Sequence, residues 1–332
     1  MDTARYRGVD SVTQRDDRHV EDQAIRNGCA LVERPWAAAV DMAGADRGRF
    51  LHGLVTSDVK PLEPGQGAYG FISNVKGRIL ADLATLALED RFLLALPTTE
   101  AEAMAAHLSK YVIVDRVEIE ASDWRSLALV GPKTAEILGG LGLEDAPEEP
   151  WNHRMLEVDG HEAVVVREPD LGGLHFGLWI PADGVDGWRA RLVDADAVLI
   201  GHGAYDRSRV AAGRPAFGLD FDADNFPKET GLGDEAVSYT KGCYLGQEVI
   251  ARIHYRGGVN RRLCGLQLEG IEPSEALGRH VLLDGKASGT VTSAADVDGR
   301  ALGLSIVHKR VEPDTEVELE GGGRARVVTL PF

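Results

Sequence analysis

The stretch that decides the fold lies at residues 241–257, which read KGCYLGQEVIARIHYRG. It sets one thiol, Cys243, among cations and paired glycines. Residues 241–262 contain one acidic residue, Glu248, and five basic ones: Lys241, Arg252, Arg256, Arg261 and Arg262. Their local charge is therefore +4, in a chain whose formal net charge is −17. Such a reversal predicts an anion-binding surface, because guanidinium groups grip carboxylates bidentately. The alternative is that these arginines form ion pairs with the chain's own surplus carboxylates.

Cys243 itself has three interpretations. The Lys241 ammonium two residues earlier would favour the thiolate and raise the reactivity of the thiol. A buried cysteine acting as a small apolar residue is the alternative. A metal site built from Cys243, His254 and Cys264 has suitable atoms, but its spacing matches no standard zinc pattern, so we expect no metal.

Composition limits the class of protein. A chain of 332 residues is longer than a single compact core usually holds, so two or three domains are expected. The net charge of −17 argues against a nucleic-acid partner. Only 8 of the 36 basic residues are lysine, which with the many aspartates suggests a salt-adapted or GC-rich origin. Three cysteines without a C-x-x-C pair indicate a reducing cytoplasm, and the absence of about 18 consecutive apolar residues argues against a membrane span.

Upstream of the motif, two segments near residues 37–58 and 126–141 each predict a strand, a glycine turn and a short helix. Strands separated by hairpins are expected between them, and Thr99 opens a capping-box pattern that predicts a helix. A G-x-G-x-x-G match at residues 65–70 follows prolines and precedes a strand-like run, so it predicts a turn rather than a dinucleotide site. Short strands with glycine turns after residue 262 predict a small β-barrel or sandwich.

Two carboxylates stand out in this part of the chain. Asp82 interrupts an apolar strand, where it is either a functional acid near a cleft or the polar-face residue of a half-exposed strand. Glu229 lies in a turn-rich loop ahead of the cysteine motif, where a solvated charge is the default and a functional role is the alternative.

The octapeptide KGCYLGQE, residues 241–248, resembles the signature of the YgfZ family of folate-binding proteins. These proteins are relatives of the aminomethyltransferase, or T-protein, of the glycine cleavage system. The similarity extends through RVAAGRPAFG at 209–218, FPKE at 226–229 and VIARIHYRG at 249–257, and more loosely through FLHGLVTSD at 50–58 and NVKGRILAD at 74–82.

The resemblance implies an α+β cloverleaf, with two α/β lobes and a small C-terminal β-barrel around a central channel for tetrahydrofolate. The boundaries it suggests are a peripheral N-terminal arm at 1–34, a folate-binding region at 35–258 with an inner lobe at about 44–122, and the barrel at 259–332. It implies a role in assembly or repair of iron–sulfur enzymes, with iron–sulfur assembly proteins or client enzymes as partners, or alternatively aminomethyl or methyl transfer of the T-protein type.

The same resemblance assigns candidate residues. Cys243, Lys241 and Asp82 are the candidate reactive groups, with Cys243 capturing a one-carbon adduct, contacting an iron–sulfur species or cycling between redox states. Candidate folate contacts are Arg209, Tyr69, Asn74, Glu229, Tyr244, Gln247, Arg252 and Arg256. T-proteins grip the pterin with a glutamate whose place is taken here by Gly173. Glycine offers no carboxylate, so we expect a YgfZ-like function or a different pterin contact through Glu229 or Asp170.

Overall fold

The computed structural model describes residues 2–97 and 100–332, so the capping box predicted at Thr99 lies outside the described residues. Within those ranges the strands are, in chain order, β1 Asp2–Tyr6, β2 Val9–Gln14, β3 Ala30–Glu33, β4 Ala38–Ala43, β5 Gly67–Ser73, β6 Ile79–Ala87, β7 Arg91–Leu96, β8 Glu118–Ala121, β9 Arg125–Val130, β10 His153–Val158, β11 His161–Glu168, β12 His175–Ile180, β13 Val198–Ile200, β14 Arg261–Glu269, β15 His280–Leu283, β16 Lys286–Val297, β17 Arg300–His308, β18 Glu316–Leu319 and β19 Arg324–Val328.

The α-helices of the same residues are short. They are α1 Arg18–Asn27, α2 Arg47–His52, α3 Ala101–Ser109, α4 Thr134–Gly140, α5 Val185–Asp194, α6 His202–Ala211, α7 Gly233–Ala236, α8 Gln247–Arg252 and α9 Pro273–Ala276. Single 3₁₀ turns occupy Ala182–Gly184 and Pro227–Glu229, and a π-helical turn, Ile253–Gly257, follows α8.

The chain divides into two compact units, which are described separately. Unit 1 comprises Met1–Ile72, Asp82–Tyr205 and Thr240–Tyr244, and unit 2 comprises Ser73–Ala81, Asp206–Tyr239 and Leu245–Phe332. The cysteine motif therefore belongs to both units, since residues 241–244 lie in unit 1 and residues 245–248 in unit 2.

Unit 1 is built on two sheets. A six-stranded sheet has the order β10-β11-β12-β9-β3-β13, and a five-stranded sheet has the order β5-β6-β7-β4-β8. One face of the six-stranded sheet packs on α4 and α5 through Leu138, Trp188 and Leu192. Its other face contributes Val164 and Trp179 to a second apolar core shared with β4, β6 and β7 of the five-stranded sheet. The α+β class predicted from the sequence is confirmed.

The segment set apart as a peripheral arm contributes to unit 1. Residues 2–14 form a β-hairpin, while β3 pairs with β9 on one side and β13 on the other. Cys29, Ala30 and Leu31 are fully buried, although polar residues surround them in the sequence. The predicted domain boundaries at residues 34 and 258 stay predictions.

Unit 2 contains the predicted C-terminal β-barrel, which is confirmed as a closed six-stranded barrel of order β14-β17-β16-β15-β18-β19. Inward-facing apolar side chains fill it, among them Leu266, Val291, Val307 and Val327. Alternation of buried and exposed residues, clearest along β18 and β19, is the pattern expected of a barrel this small.

A close backbone approach in unit 2 requires glycine at position 246. Gly246 has φ of +82°, and a Cβ there would lie 2.5 Å from the carbonyl oxygen of Asn74 and 2.8 Å from Ser73 Oγ. The Ser73 hydroxyl donates to the Leu245 carbonyl at 2.7 Å. The second half of the cysteine motif is thereby held against the turn at residues 73–78.

We expect Gly246→Ala to lower the free energy of unfolding by about 3 kcal/mol, because it combines a left-handed backbone with steric overlap. Gly299→Ala is the matched control, with φ of +73° but no atom within 4 Å of the added Cβ. The free energy of unfolding of Gly299→Ala should fall by only about 1 kcal/mol. Thermal and urea unfolding compare the two, and equal shifts would show that the approach to Asn74 imposes no steric cost.

Candidate functional site

A buried carboxylate lies within unit 1. Asp82 on β6 is 6% exposed, and its Oδ2 accepts a hydrogen bond of 2.8 Å from the hydroxyl of Tyr69 on β5. Nearly every residue of β6 is buried, so the interpretation of Asp82 as the polar residue of a half-exposed strand is wrong. A buried carboxylate is costly unless it is hydrogen-bonded, which makes this pair a candidate for function.

Tyr69 is itself held by aromatic neighbours. Its ring stacks on Trp151 with centroids 5.0 Å apart and planes at 12°, and it meets Phe71 edge-on at 5.8 Å. The ring is therefore fixed, and with it the direction of the hydroxyl toward Asp82. The predicted contact of Tyr69 with folate stays a prediction, and the structure adds the role of orienting Asp82. Trp151 was not singled out by the sequence analysis, since it follows an acidic loop without a strand pattern.

Lys241 is buried, and its ammonium group binds backbone carbonyls of unit 1. The Nζ atom donates to His52 O at 2.7 Å, Val55 O at 2.8 Å and Ser57 O at 2.6 Å. Burial lowers the pKa of Lys241 to about 8, with the charge of Asp58 acting in the opposite direction. At pH 7 the group is thus still mostly protonated and able to donate to all three carbonyls. Tuning of Cys243 by Lys241 stays a prediction, alongside this structural role.

The neighbours of Lys241 in the motif differ in exposure. Cys243 is exposed, which rejects the interpretation of a buried, apolar cysteine. Tyr244 is 7% exposed, and its ring lies 5.0 Å from Lys241 Nζ in a cation–π contact.

The other two cysteines, Cys29 and Cys264, are buried, and burial raises the pKa of Cys29 to about 11 and also raises that of Cys264. Among the described residues, no group of three or more metal-ligating side chains is arranged to hold a metal ion.

Arg209, a predicted folate contact, lies in unit 2 and binds protein groups there. The residue is 4% exposed, and its guanidinium donates to Asp206 at 2.9 Å, Asp220 at 2.6 Å and Ser293 Oγ at 2.7 Å. It also donates to the carbonyl of Arg214 at 2.8 Å. These are partners within the protein, because a buried guanidinium is tolerated only when its donors are satisfied. A folate carboxylate would have to displace them, so the geometry gives Arg209 a structural role.

Glu229 is likewise occupied within unit 2. It is 3% exposed and accepts from Arg261 at 3.1 and 3.2 Å, from the amide of Asn225 and from the backbone N–H of Phe226. The default of a solvated charge is therefore wrong, and a pterin contact through this carboxylate would compete with four donors. Asp170, the alternative in unit 1, pairs with Arg167 at 2.6 Å and is largely exposed.

Gly173 occupies a tight position in unit 1. A Cβ there would lie 3.1 Å from the Cα of Gly131, tighter than ordinary van der Waals contact. This backbone approach favours a small residue at position 173.

Three of the stretches quoted for the resemblance meet in unit 2. Asn74 Oδ1 accepts from the backbone N–H groups of Lys76 and Arg78 at 2.8 and 3.1 Å, which closes the turn. The guanidinium of Arg78 lies 3.8 Å from the ring centroid of Phe226. Gly246 packs on the same turn, so Asn74 shapes backbone there, and Gln247 begins α8 immediately afterwards.

Arg252 and Arg256 are exposed cations of unit 2. Arg252 immediately precedes the π-helical turn Ile253–Gly257 and Arg256 lies within it; such a distortion is often found at functional sites. Within that turn His254 stacks on Tyr239 at 3.7 Å, and Tyr255 is 67% exposed. Of the predicted anion contacts, these two arginines are the pair whose exposure suits a carboxylate from solution.

A family model described as the GCVT N-terminal domain matches residues 6–241, most of the 332-residue chain. The chain belongs to this family. No helix among the described residues combines the length and apolarity that membrane crossing requires.

Individual relatives agree with this assignment. An aminomethyltransferase of Rubrobacter xylanophilus is 32% identical over 323 residues, covering 94% of this chain and 85% of the relative. A putative chloroplastic transferase of Arabidopsis thaliana is 30% identical over 291 residues, covering 86% of this chain and 66% of the relative. The crystal structure of glycine cleavage system aminomethyltransferase T from Bartonella henselae superposes with a TM-score of 0.89 at 24% identity, covering 100% of this chain and 94% of that one. This last likeness shows the fold.

We expect Lys241→Met to lower the free energy of unfolding by about 3 kcal/mol, because it leaves three backbone carbonyls without their donor. Methionine retains most of the apolar stem, so the loss reports on the hydrogen bonds. Lys60→Met is the matched control, since Lys60 is an exposed lysine just beyond the segment 52–57. Melting curves and limited proteolysis between residues 52 and 58 provide the measurement, and identical behaviour of the two variants would contradict the anchoring role.

Proposed function

We propose that this protein binds tetrahydrofolate and transfers a one-carbon unit with it, as an aminomethyl- or methyltransferase of the T-protein type. The observation that carries the proposal is the buried Asp82 carboxylate, held by the Tyr69 hydroxyl in a chain of the GCVT family. The names of the aminomethyltransferase relatives and the fold shared with the Bartonella henselae enzyme support it.

Each unit, taken by itself, offers groups that suit part of a reduced folate. In unit 1, Asp82 and Tyr69 offer an acceptor and a hydroxyl to a polar heterocycle. In unit 2, Arg252 and Arg256 are exposed cations suited to carboxylates. Arg209 and Glu229 fit less well, because their polar atoms already bind protein groups. The folate supplies the nitrogen that accepts the one-carbon unit.

Within unit 1 the chemistry assigned to the protein is orientation and proton handling. The Asp82 carboxylate would accept a hydrogen bond from the amine of the donor, or hold a proton as charge develops on nitrogen. Tyr69 fixes the carboxylate rotamer, and Trp151 fixes Tyr69 in turn. Because Asp82 and Tyr69 lie on neighbouring strands β6 and β5, the acceptor is pre-positioned before the substrate binds.

Asp82→Asn should lower the rate of carbon transfer from a labelled small amine donor to tetrahydrofolate on the order of 100-fold. The melting temperature should change little, because the asparagine oxygen still accepts from Tyr69. Tyr69→Phe keeps the ring stacked on Trp151, and its rate of carbon transfer should be roughly tenfold lower than that of the wild type. Asp90→Asn, at an exposed turn after the same strand, is the control. Anaerobic calorimetry of tetrahydrofolate binding separates affinity from turnover, and full activity of Asp82→Asn would reject the proposed role.

A YgfZ-type role in iron–sulfur enzyme assembly or repair is the second candidate, with assembly proteins or client enzymes as partners. The exposed Cys243 thiol favours it, since a transferase that relies on Asp82 has no evident need for an accessible cysteine. The glycine at position 173 also favours it, because the glutamate expected of a T-protein is missing.

If the second candidate holds, Cys243→Ser should fail to restore iron–sulfur enzyme activity in cells that lack the protein, while tetrahydrofolate binding is retained. Asp82→Asn should restore it in the same cells. The readout is the activity of a cellular iron–sulfur enzyme normalised to its protein level. Rescue by Cys243→Ser at wild-type level would eliminate thiol chemistry from the function.

A further inference from the structure

The segment that follows α2 pairs with the outer edge of the five-stranded sheet of unit 1. Strand β5 stands at the end of that sheet, next to β6. Val55 forms a β-bridge with Ile72 of β5. The Thr56 N–H donates to the carbonyl of Phe71 at 2.9 Å, and the Thr56 hydroxyl accepts from the Phe71 N–H at 2.8 Å. Residues 55 and 56 therefore occupy the edge that β5 would otherwise leave unpaired.

This pairing is close as well as hydrogen-bonded. A Cβ on Gly70 would lie 2.4 Å from the hydroxyl oxygen of Ser57 and 3.0 Å from its backbone nitrogen. Val55 and Thr56 are fully buried, and Ser57 is 6% exposed. Because closely packed groups have little space in which to adjust separately, a displacement of this segment is passed on to β5.

Lys241 holds the segment from the side away from the sheet. Alternate residues of an extended chain direct their backbone groups to opposite sides. The Thr56 N–H points toward β5, so the carbonyls of its two neighbours point the other way. Lys241 Nζ donates to both of these carbonyls, to Val55 O at 2.8 Å and to Ser57 O at 2.6 Å. The segment is thus fixed between the ammonium group and the strand.

The strand held in this way carries the tyrosine that binds the buried acid. Residues 69 and 71 project from the same face of β5, and the rings of Tyr69 and Phe71 meet edge-on with centroids 5.8 Å apart. The Tyr69 hydroxyl donates to Asp82 Oδ2 on β6 at 2.8 Å. A shift of β5 at Phe71 would therefore move the Tyr69 hydroxyl relative to the carboxylate.

We propose that Lys241 and Thr56 are positioning residues for the Asp82 carboxylate, acting through β5 and Tyr69. The lysine fixes the segment, the threonine fixes β5 at Phe71, and Tyr69 fixes the rotamer of Asp82. The proposal rests on the proposed function for the assignment of Asp82 to carbon transfer. The positioning itself is measurable on the full chain without turnover.

The first test observes Tyr69 by NMR in protein whose tyrosines carry an isotope label at Cζ, with Tyr69→Phe assigning the signal among the seven tyrosines. A phenol that loses its hydrogen bond to a carboxylate shifts its Cζ resonance upfield. Thr56→Val keeps the shape of the side chain and removes the acceptor of the Phe71 N–H, so the Tyr69 signal should move upfield. Lys241→Met should move it in the same direction, whereas Thr56→Ser, which keeps the hydroxyl, should leave it in place.

A general loss of stability is separated from positioning by a matched control. Thr134 is also fully buried in unit 1, where its hydroxyl contacts Cys29 Sγ at 3.4 Å. Thr134→Val should lower the melting temperature without moving the Tyr69 signal. Lys60→Met, at an exposed lysine, should change neither.

The second test measures carbon transfer to tetrahydrofolate. Thr56→Val should lower the rate about tenfold at nearly unchanged tetrahydrofolate affinity, because a misplaced acceptor slows the reaction more than it weakens binding. Since Thr56 acts through Tyr69, the double variant Thr56→Val with Tyr69→Phe should be no slower than Tyr69→Phe alone. A further tenfold loss in the double variant would show that Thr56 acts independently and would overturn the proposal.

The two tests also distinguish this proposal from the proposed function. An unshifted Tyr69 signal in both Thr56→Val and Lys241→Met would overturn the positioning, whether or not the protein transfers carbon. If the wild type transfers no carbon, the proposed function fails, and the Tyr69 signals alone decide the positioning.

Discussion

One buried ammonium group organises the first half of the cysteine motif. After α2 ends at His52, the chain turns through Ser57 with a β-bridge at Val55, and several of its carbonyls lie outside helices and strands and need donors. Lys241 supplies them from nearly 190 residues away in the sequence, with bonds to residues 52, 55 and 57. The cost of burying the charge is offset by these carbonyls and by the ring of Tyr244. This anchor holds the residue that stands two positions before the exposed Cys243.

Unit 2 fixes the second half of the motif by a different means. There the contact is close backbone packing, with Gly246 against the turn at Asn74 and a hydrogen bond from Ser73. Earlier in the chain, Arg209 links α6 to barrel strand β16 through Asp220 and Ser293. Each half of the octapeptide is therefore held by partners within its own unit. The charge of Lys241 holds the first half, and the missing side chain of Gly246 allows close packing of the second half.

The sequence predicted those parts of the fold whose signals are local. The strand–turn–helix units at β4–α2 and β9–α4 and the barrel strands carry their periodicity and glycine turns within a few residues. The N-terminal hairpin, β3 and β19 were missed because they are short and mixed with charged residues. In the candidate site, the cysteine motif and Asp82 were found, whereas the burial of Asp82 and the internal partners of Arg209 were not. Such pairings join residues tens to hundreds of positions apart, and no local pattern encodes them.

The unequal exposure of the three thiols bears on how the protein responds to oxidants. Peroxide would convert the exposed Cys243 to a sulfenic acid, while Cys29 and Cys264 are shielded by burial. Neither buried cysteine is accessible as an internal resolving thiol, so recovery requires a thiol from another molecule. The expected oxidation product is a mixed disulfide with a small cellular thiol or a disulfide-linked dimer, and the redox state of Cys243 is coupled to the surrounding thiol pool.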